Sequence, residues 1–234
     1  AADGGLRFSV RAGECLVLQD LDNHFIDGFL GALAGARPPE GTHLRLRGRP
    51  LRRPGRDRRL AVIQDQPGRT MVFPGLNYLE NLCFTMDHRI RSLWRSGRVK
   101  RGLRRAYAEW LGPDLLDRRV EELTETERCE LVYRRVLLQR PDVVFCVQPF
   151  RMADVAMRMS IWRLLEELLD RGVAVVILAV NLADSLSLAD RLIRVRRGRP
   201  QEAFDRVHFN DLPADAPWRS LYRSVSETQK EELP

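Results

Sequence analysis

Four short runs constrain this chain most: CLVLQ (15–19), LAVIQ (60–64), VVFCV (143–147) and VAVVILAV (173–180). A strand with one wet face alternates apolar and polar residues. These runs are almost wholly apolar, so each must be covered on both faces, as strands of a parallel sheet are. The segments between them carry helical spacing. In MADVAMRMSIWRLLEELLDRG (152–172), Ile161, Leu164, Leu165 and Leu168 fall on one face of a helix. Buried strands alternating with helices predict an α/β fold with a mainly parallel sheet.

The rest of the chain fits around that frame. LRFSV (6–10) alternates and reads as a further strand, and THLRLRGRPL (42–51) as a strand and turn in a small antiparallel part. A helix is expected over about Phe25 to Leu33, closed by Gly35 and the pair Pro38-Pro39, with Asp22 or Asn23 as its N-cap. Residues 77–122 read as helical and charged, broken at Gly97 and at Gly112-Pro113. A helix over 126–139 feeds the third apolar run, ADSLSLADR (183–191) is a short helix, and LIRVRRGRPQEAF (192–204) closes as a hairpin. This divides the chain into 1–75 and 126–204 as two parts of one core, 76–125 as a helical subdomain, and 205–234 as an extension with a frayed end.

Composition excludes some classes. The longest apolar run stops at Asn181, far short of the roughly 20 residues that a membrane-spanning helix needs. AADGGLRF has neither an initiator Met nor a signal-peptide core and reads as a cut or processed start. Cys15, Cys83, Cys129 and Cys146 are scattered without CxxC spacing, as buried reduced thiols would be. His24, His43, His88 and His208 lack metal-site spacing. Trp94, Trp110, Trp162 and Trp218 suit packing or an interface. The net charge of +7 is almost all arginine, concentrated in RRPGRDRR (52–59) and HRIRSLWRSGRVKRGLRR (88–105). Such clusters suit a nucleic-acid or anionic-lipid surface, or a plain solvated face. No nucleic-acid-binding module pattern accompanies them, and nucleic acid is not expected as a partner.

Three stretches together carry a family resemblance: VRAGECLVLQDLDNHFIDGFLGALAGARPPEGTHLRLRGRPL, LTETERCELVYRRVLLQRPDVVFCVQPFRMADVAMR and RGVAVVILAVNLADSLSLADRLIRVRRGRP. In order and spacing they resemble an ATP-binding cassette (ABC) domain from about Leu6 to Phe204. The similarity is to the cassettes of ribose-, galactose- and xylose-type sugar importers, in particular the second cassette of their fused ATPases. The stretch from Val10 resembles the phosphate-loop strand and helix. The stretch from Leu123 resembles the signature helix running into the Walker B strand and D-loop. The stretch from Arg171 resembles the H-loop strand and closing hairpin. The resemblance implies a P-loop NTPase-like core with a small antiparallel β part and a helical subdomain.

The positions it assigns lack most of the expected chemistry. A phosphate loop needs G-x-x-x-x-G-K-[ST], in which glycines let backbone N–H groups wrap phosphates and a lysine neutralises them. The matching window is DLDNHFID, with Asp20 and Phe25 at the glycine positions, Ile26 at the lysine and Asp27 at the hydroxyl. Like charges about 4 Å apart cost about 4 kcal/mol at an effective dielectric of about 20. One or two such contacts rival the roughly 8 kcal/mol of a micromolar affinity. Val147 stands for the Walker B aspartate and Gln148 for the glutamate that would polarise water. The signature loop reads LTETE, with Thr124 at its serine; as a helix start the same residues form a capping box. The H-loop histidine falls at Val180. Gln64 fits the Q-loop and Asp154 the D-loop aspartate.

With no catalytic residue assigned, the resemblance implies a degenerate cassette that does not hydrolyse ATP, and no cofactor is expected to bind. Its partners would be transmembrane permease subunits and another cassette, at the inner face of the cell membrane. The alternative is a protein–protein scaffold or sensor that reuses the fold outside transport.

Overall fold

The computed structural model describes residues 6–22, 25–34, 43–51, 53–87, 93–180, 182 and 184–211. In chain order the strands are β1 (Cys15–Asp20), β2 (Arg45–Leu46), β3 (Arg49–Pro50), β4 (Leu60–Ile63), β5 (Val143–Val147), β6 (Ala174–Ala179), β7 (Arg191–Arg196) and β8 (Arg199–Asp205). The helices are α1 (Phe25–Ala34), α2 (Pro67–Thr70), α3 (Tyr78–Asp87), α4 (Leu93–Leu111), α5 (Pro113–Asp117), α6 (Glu125–Gln139), α7 (Val155–Asp170) and α8 (Ser185–Leu188).

Six strands form one sheet in the order β4-β5-β6-β1-β7-β8. All neighbours are parallel except the closing hairpin β7–β8, and β2–β3 make a separate antiparallel pair. The four apolar runs are β1, β4, β5 and β6, buried on both faces as their composition requires. Successive side chains point to opposite faces. Cys15 and Val17 therefore join Val144, Cys146, Val175 and Ile177 under α6 and α7. Leu16 and Leu18 join Val143, Phe145, Val147 and Leu178 under Ile26, Phe29 and Leu33 of α1. Ile161, Leu164, Leu165 and Leu168 are the buried face of α7. A third cluster, Tyr78, Leu79, Leu82, Leu116, Val120 and Leu131, ties α3 and α5 to α6.

Several expectations need correction. Residues 6–10 are not a strand. Leu6, Phe8 and Val10 pack on the α1 side of the core, Phe8 lying 6.1 Å from Phe29. No strand lies beside them among the described residues, so their alternation reflects one-sided burial without ladder pairing. Gly97 does not interrupt α4. A glycine inside a helix costs only about 1 kcal/mol, and Leu103, Tyr107 and Leu111 dock the helix on the third cluster. The break at Gly112 does occur, with φ +80. Helix α7 begins at Val155, three residues after Met152, because the Asp154 carboxylate caps it. The expected stops at Gly35, Pro38 and Pro39, the residues Asn23 and His24, and the tail from 212 lie outside the described residues.

Candidate functional site

In an open parallel sheet a ligand crevice lies outside the carboxyl ends of the strands, where the chain order reverses. Strand β1 is that place: from it the chain leaves to the β4 edge, returns through β5 and β6, and crosses to β7. Register puts Asp20 beside Val195 at the last position of β1, and Val147 beside Leu178 one strand beyond β6.

The turn from β1 into α1 is held from several sides. Asp20 is 0% exposed. Its Oδ2 accepts the backbone N–H groups of Phe25 at 2.8 Å and Ile26 at 3.0 Å. These belong to the first turn of α1, whose N–H groups lack partners within the helix. Asp20 is thus a carboxylate that satisfies the helix start from five residues before it, while the expected cap Asn23 lies outside the described residues. Asp22 accepts the Arg197 N–H at 2.9 Å, and the Leu21 N–H donates to the Val195 carbonyl at 2.9 Å. The other Asp20 oxygen, Oδ1, is buried without a hydrogen-bond partner among the described residues. Phe25 stacks on Phe29 at 5.2 Å, and Ile26 is buried in the core below. Asp27 is exposed in the first turn, where a negative charge suits the helix dipole.

At the end of β5, Val147 is buried in the same cluster as Ile26. Gln148 follows with φ +44, a left-handed conformation that is costly for a side-chain-bearing residue. Its N–H donates to the Leu178 carbonyl at 2.8 Å. Gln148 and Val180 share a cavity of about 520 Å³ with Phe150, Arg151, Arg158 and Asp184. Arg158 pairs with Asp184 at 3.2 Å and donates to the Ala153 carbonyl at 2.8 Å, while Arg151 reaches Asp65 at 3.2 Å. Asp154 accepts the Met157 N–H at 2.8 Å and caps α7.

Gln64 is exposed, and its N–H donates to Met71 Sδ at 3.3 Å. Sequence reasoning missed what anchors the loop after it. Arg135 of α6 is buried, donates to the Met71 carbonyl and lies 5.2 Å from the Phe73 ring. Burial pulls its pKa down to about 10. Phe73 in turn stacks on Phe84 at 3.7 Å. An arginine in mid-helix gives no sign of this in the sequence, since the carbonyl it meets is 64 residues away.

Thr124 begins α6 as a full capping box. Its Oγ1 accepts the Glu127 N–H at 3.2 Å, and Glu127 Oε2 accepts the Thr124 N–H at 2.7 Å. The structure therefore brings Asp20, Phe25, Ile26 and Val147 together around the start of α1, and Gln148 and Val180 around one cavity. Gln64, Thr124 and Asp154 each begin or follow a separate element. Among the described residues no three His, Cys, Asp or Glu side chains gather as a metal site.

No family model matches the chain. A putative ribose/galactose/methyl galactoside import ATP-binding protein of Pseudomonas fluorescens is 26% identical over 212 residues, 86% of this chain and 41% of the relative. The molybdenum import ATP-binding protein ModC of Mycobacterium tuberculosis is 29% identical over 82% of this chain and 54% of its own length. A xylose import ATP-binding protein, XylG of Burkholderia ambifaria, is 28% identical over 82% of this chain and 38% of its own. The chain thus spans about half or less of these curated relatives. Among solved structures, cbiO1 of Clostridium perfringens, part of the ABC transporter complex cbiONQ, superimposes with a TM-score of 0.72 at 14% identity over 98% of this chain and 88% of that one. The chain is an ATP-binding cassette domain.

A helix N-terminus at a strand's carboxyl end offers N–H groups to an anion, and α1 starts in that position after β1. Here two of those N–H groups are already taken by Asp20. Among the described residues the carboxyl edge holds no lysine: of the chain's two, Lys100 is in α4 and Lys230 lies outside the described residues.

Proposed function

We propose that this cassette is a degenerate, non-hydrolysing member of a sugar-type importer, structural and regulatory partner to a catalytic cassette and a permease. The observation that carries the reading is the Asp20 carboxylate on the start of α1. The anion seat is filled from within, and a phosphate entering it competes with the Asp20 carboxyl for the same N–H groups. Val147 at the magnesium position and Val180 at the H-loop position offer no polar side-chain atom, and Gln148 is no general base. The similarity to sugar-import ATP-binding proteins supports the importer setting. Residues 76–125 serve as the helical subdomain, and the permease docks near the loop from Gln64 to Leu79, which Arg135 and Phe73 brace. The site is cytoplasmic, at the inner membrane face; no helix among the described residues is long and apolar enough to cross a membrane.

A second reading has one observation in its favour. The start of α6 is committed to its own capping box, just as the start of α1 is committed to Asp20. Both halves of a composite nucleotide site are then structural, which suits a protein–protein scaffold outside transport.

Calorimetric titration with ATP, with and without Mg²⁺, tests the common core of both readings. The expected result is no binding up to millimolar nucleotide. Micromolar, Mg²⁺-dependent binding would overturn it. Copurification with a permease and a second cassette then separates the importer from the scaffold.

A further inference from the structure

The basic run at 88–105 remains outside the nucleotide site. It holds eight Lys and Arg residues, and no acid occurs between Asp87 and Glu109. Its described part, 93–105, lies on α4, and the helix sorts its charges by face. Leu103, Tyr107 and Leu111 turn inward to the α3–α5 cluster. The cations flanking that face are neutralised: Lys100 sits 3.0 Å from Glu80 of α3, and Arg104 pairs with Asp117 of α5.

Arg98, Arg101 and Arg105 follow at helical spacing and are all exposed. None forms an ion pair among the described residues, and Arg101 donates only to Gly97 of its own helix, at 3.3 Å. Gly97, Gly102 and Ala106, exposed beside them, are small, so among the described side chains nothing stands between the guanidinium groups and a flat surface.

We infer that the outer face of α4 is a docking surface for the anionic phospholipid headgroups of a membrane leaflet. Clusters of four to eight basic residues on an amphipathic helix bind acidic lipid; the run at 88–105 carries eight, of which Arg98, Arg101 and Arg105 form the described outer face. Guanidinium groups grip phosphate and carboxylate with paired donors. A single-stranded nucleic acid would also need aromatic rings on which bases stack, and residues 97–106 of this face supply none. The inference rests on the importer reading only for placing the domain at a membrane; the surface itself needs neither nucleotide nor permease.

The test is cosedimentation of the full chain with vesicles of phosphatidylcholine alone, or of phosphatidylcholine with about a third phosphatidylserine. Binding is expected to the acidic vesicles and not to the neutral ones, and to weaken with salt. Each arginine near an acidic leaflet contributes roughly fivefold in the binding constant, so Arg98→Gln/Arg101→Gln/Arg105→Gln is expected to lose roughly a hundredfold. Glutamine is a good helix former, and circular dichroism checks that α4 persists. The variant Arg56→Gln/Arg196→Gln/Arg199→Gln removes the same charge elsewhere and is expected to keep binding. No binding to acidic vesicles, equal loss in both triple variants, or tighter binding to an oligonucleotide at matched phosphate overturns the proposal. Failure to copurify with a permease would overturn the importer reading and leave the vesicle result standing.

Discussion

Asp20 decides most about this cassette, and replacing it separates its two roles. Asp20→Ala strips the start of α1 of its cap and is expected to lower stability by about 1–2 kcal/mol in urea denaturation. It also empties the anion seat. The melting temperature of Asp20→Ala is therefore expected to rise with added inorganic phosphate, while the wild type stays flat; identical responses would sink the idea of an internally filled seat. The converse change, Val147→Asp, puts a carboxylate among Ile26, Phe145 and Leu178. An unpaired charge there is expected to cost more than about 3 kcal/mol, seen as a lowered denaturation midpoint, without gain of ATP hydrolysis. What the sequence supplied at this scale was the residues on which the proposed loss of chemistry rests: Ile26, Val147 and Val180 stand plainly in the string. The role of Asp20 was not visible, since its donors are five and six residues ahead and an aspartate so far before a helix does not read as its cap.

Elements were more legible than residues wherever they are closed by their own neighbours. The capping box of α6 is written as TETE, and both of its hydrogen bonds form. Thr124→Ala is expected to cost about 1 kcal/mol in equilibrium unfolding. Burial pushes the Glu127 carboxyl up, but the hydrogen bonds from Thr124 and the Arg118 cation outweigh it and hold the pKa below the usual value. A carboxylate depressed on folding stabilises fully above its unfolded pKa, near 4.5, and the gain is lost as pH falls through the folded value. The deficit of Thr124→Ala is accordingly expected to shrink in acid, as urea midpoints at neutral pH and near pH 3 would reveal. Leu165 belongs to the buried face of α7, and Leu165→Ala is expected to cost about 2–5 kcal/mol. Legibility failed where tertiary contact overrules local pattern. Leu6 to Val10 alternate yet do not pair, and Gly97 sits inside a helix that packing sustains.

At the scale of the molecule, alternation of apolar runs with helices was enough to read a mainly parallel α/β sheet, because strands buried on both faces leave few other layouts. The sheet order was not readable from the sequence and comes only from the structure. The braced loop at Met71 and Phe73 was also invisible, since its anchor comes from a distant helix. A ligand that binds only the native state at a hundred times its dissociation constant stabilises by about 2.7 kcal/mol. No such shift in melting temperature is expected from millimolar Mg-ATP on this domain, and a rise of several degrees would reopen the nucleotide site.

Strand β1 lies between β6 and β7, and its first residue, Cys15, pairs with Val175. About 160 residues separate the two. At roughly 5–20 residues per second, a ribosome needs about 8–30 s to make that stretch. Throughout that time CLVLQ is an apolar strand with both edges open, the kind of segment that seeks other chains. The centre of the finished sheet is thus the oldest exposed surface of the nascent one, and the newborn chain depends on shelter until its last third emerges.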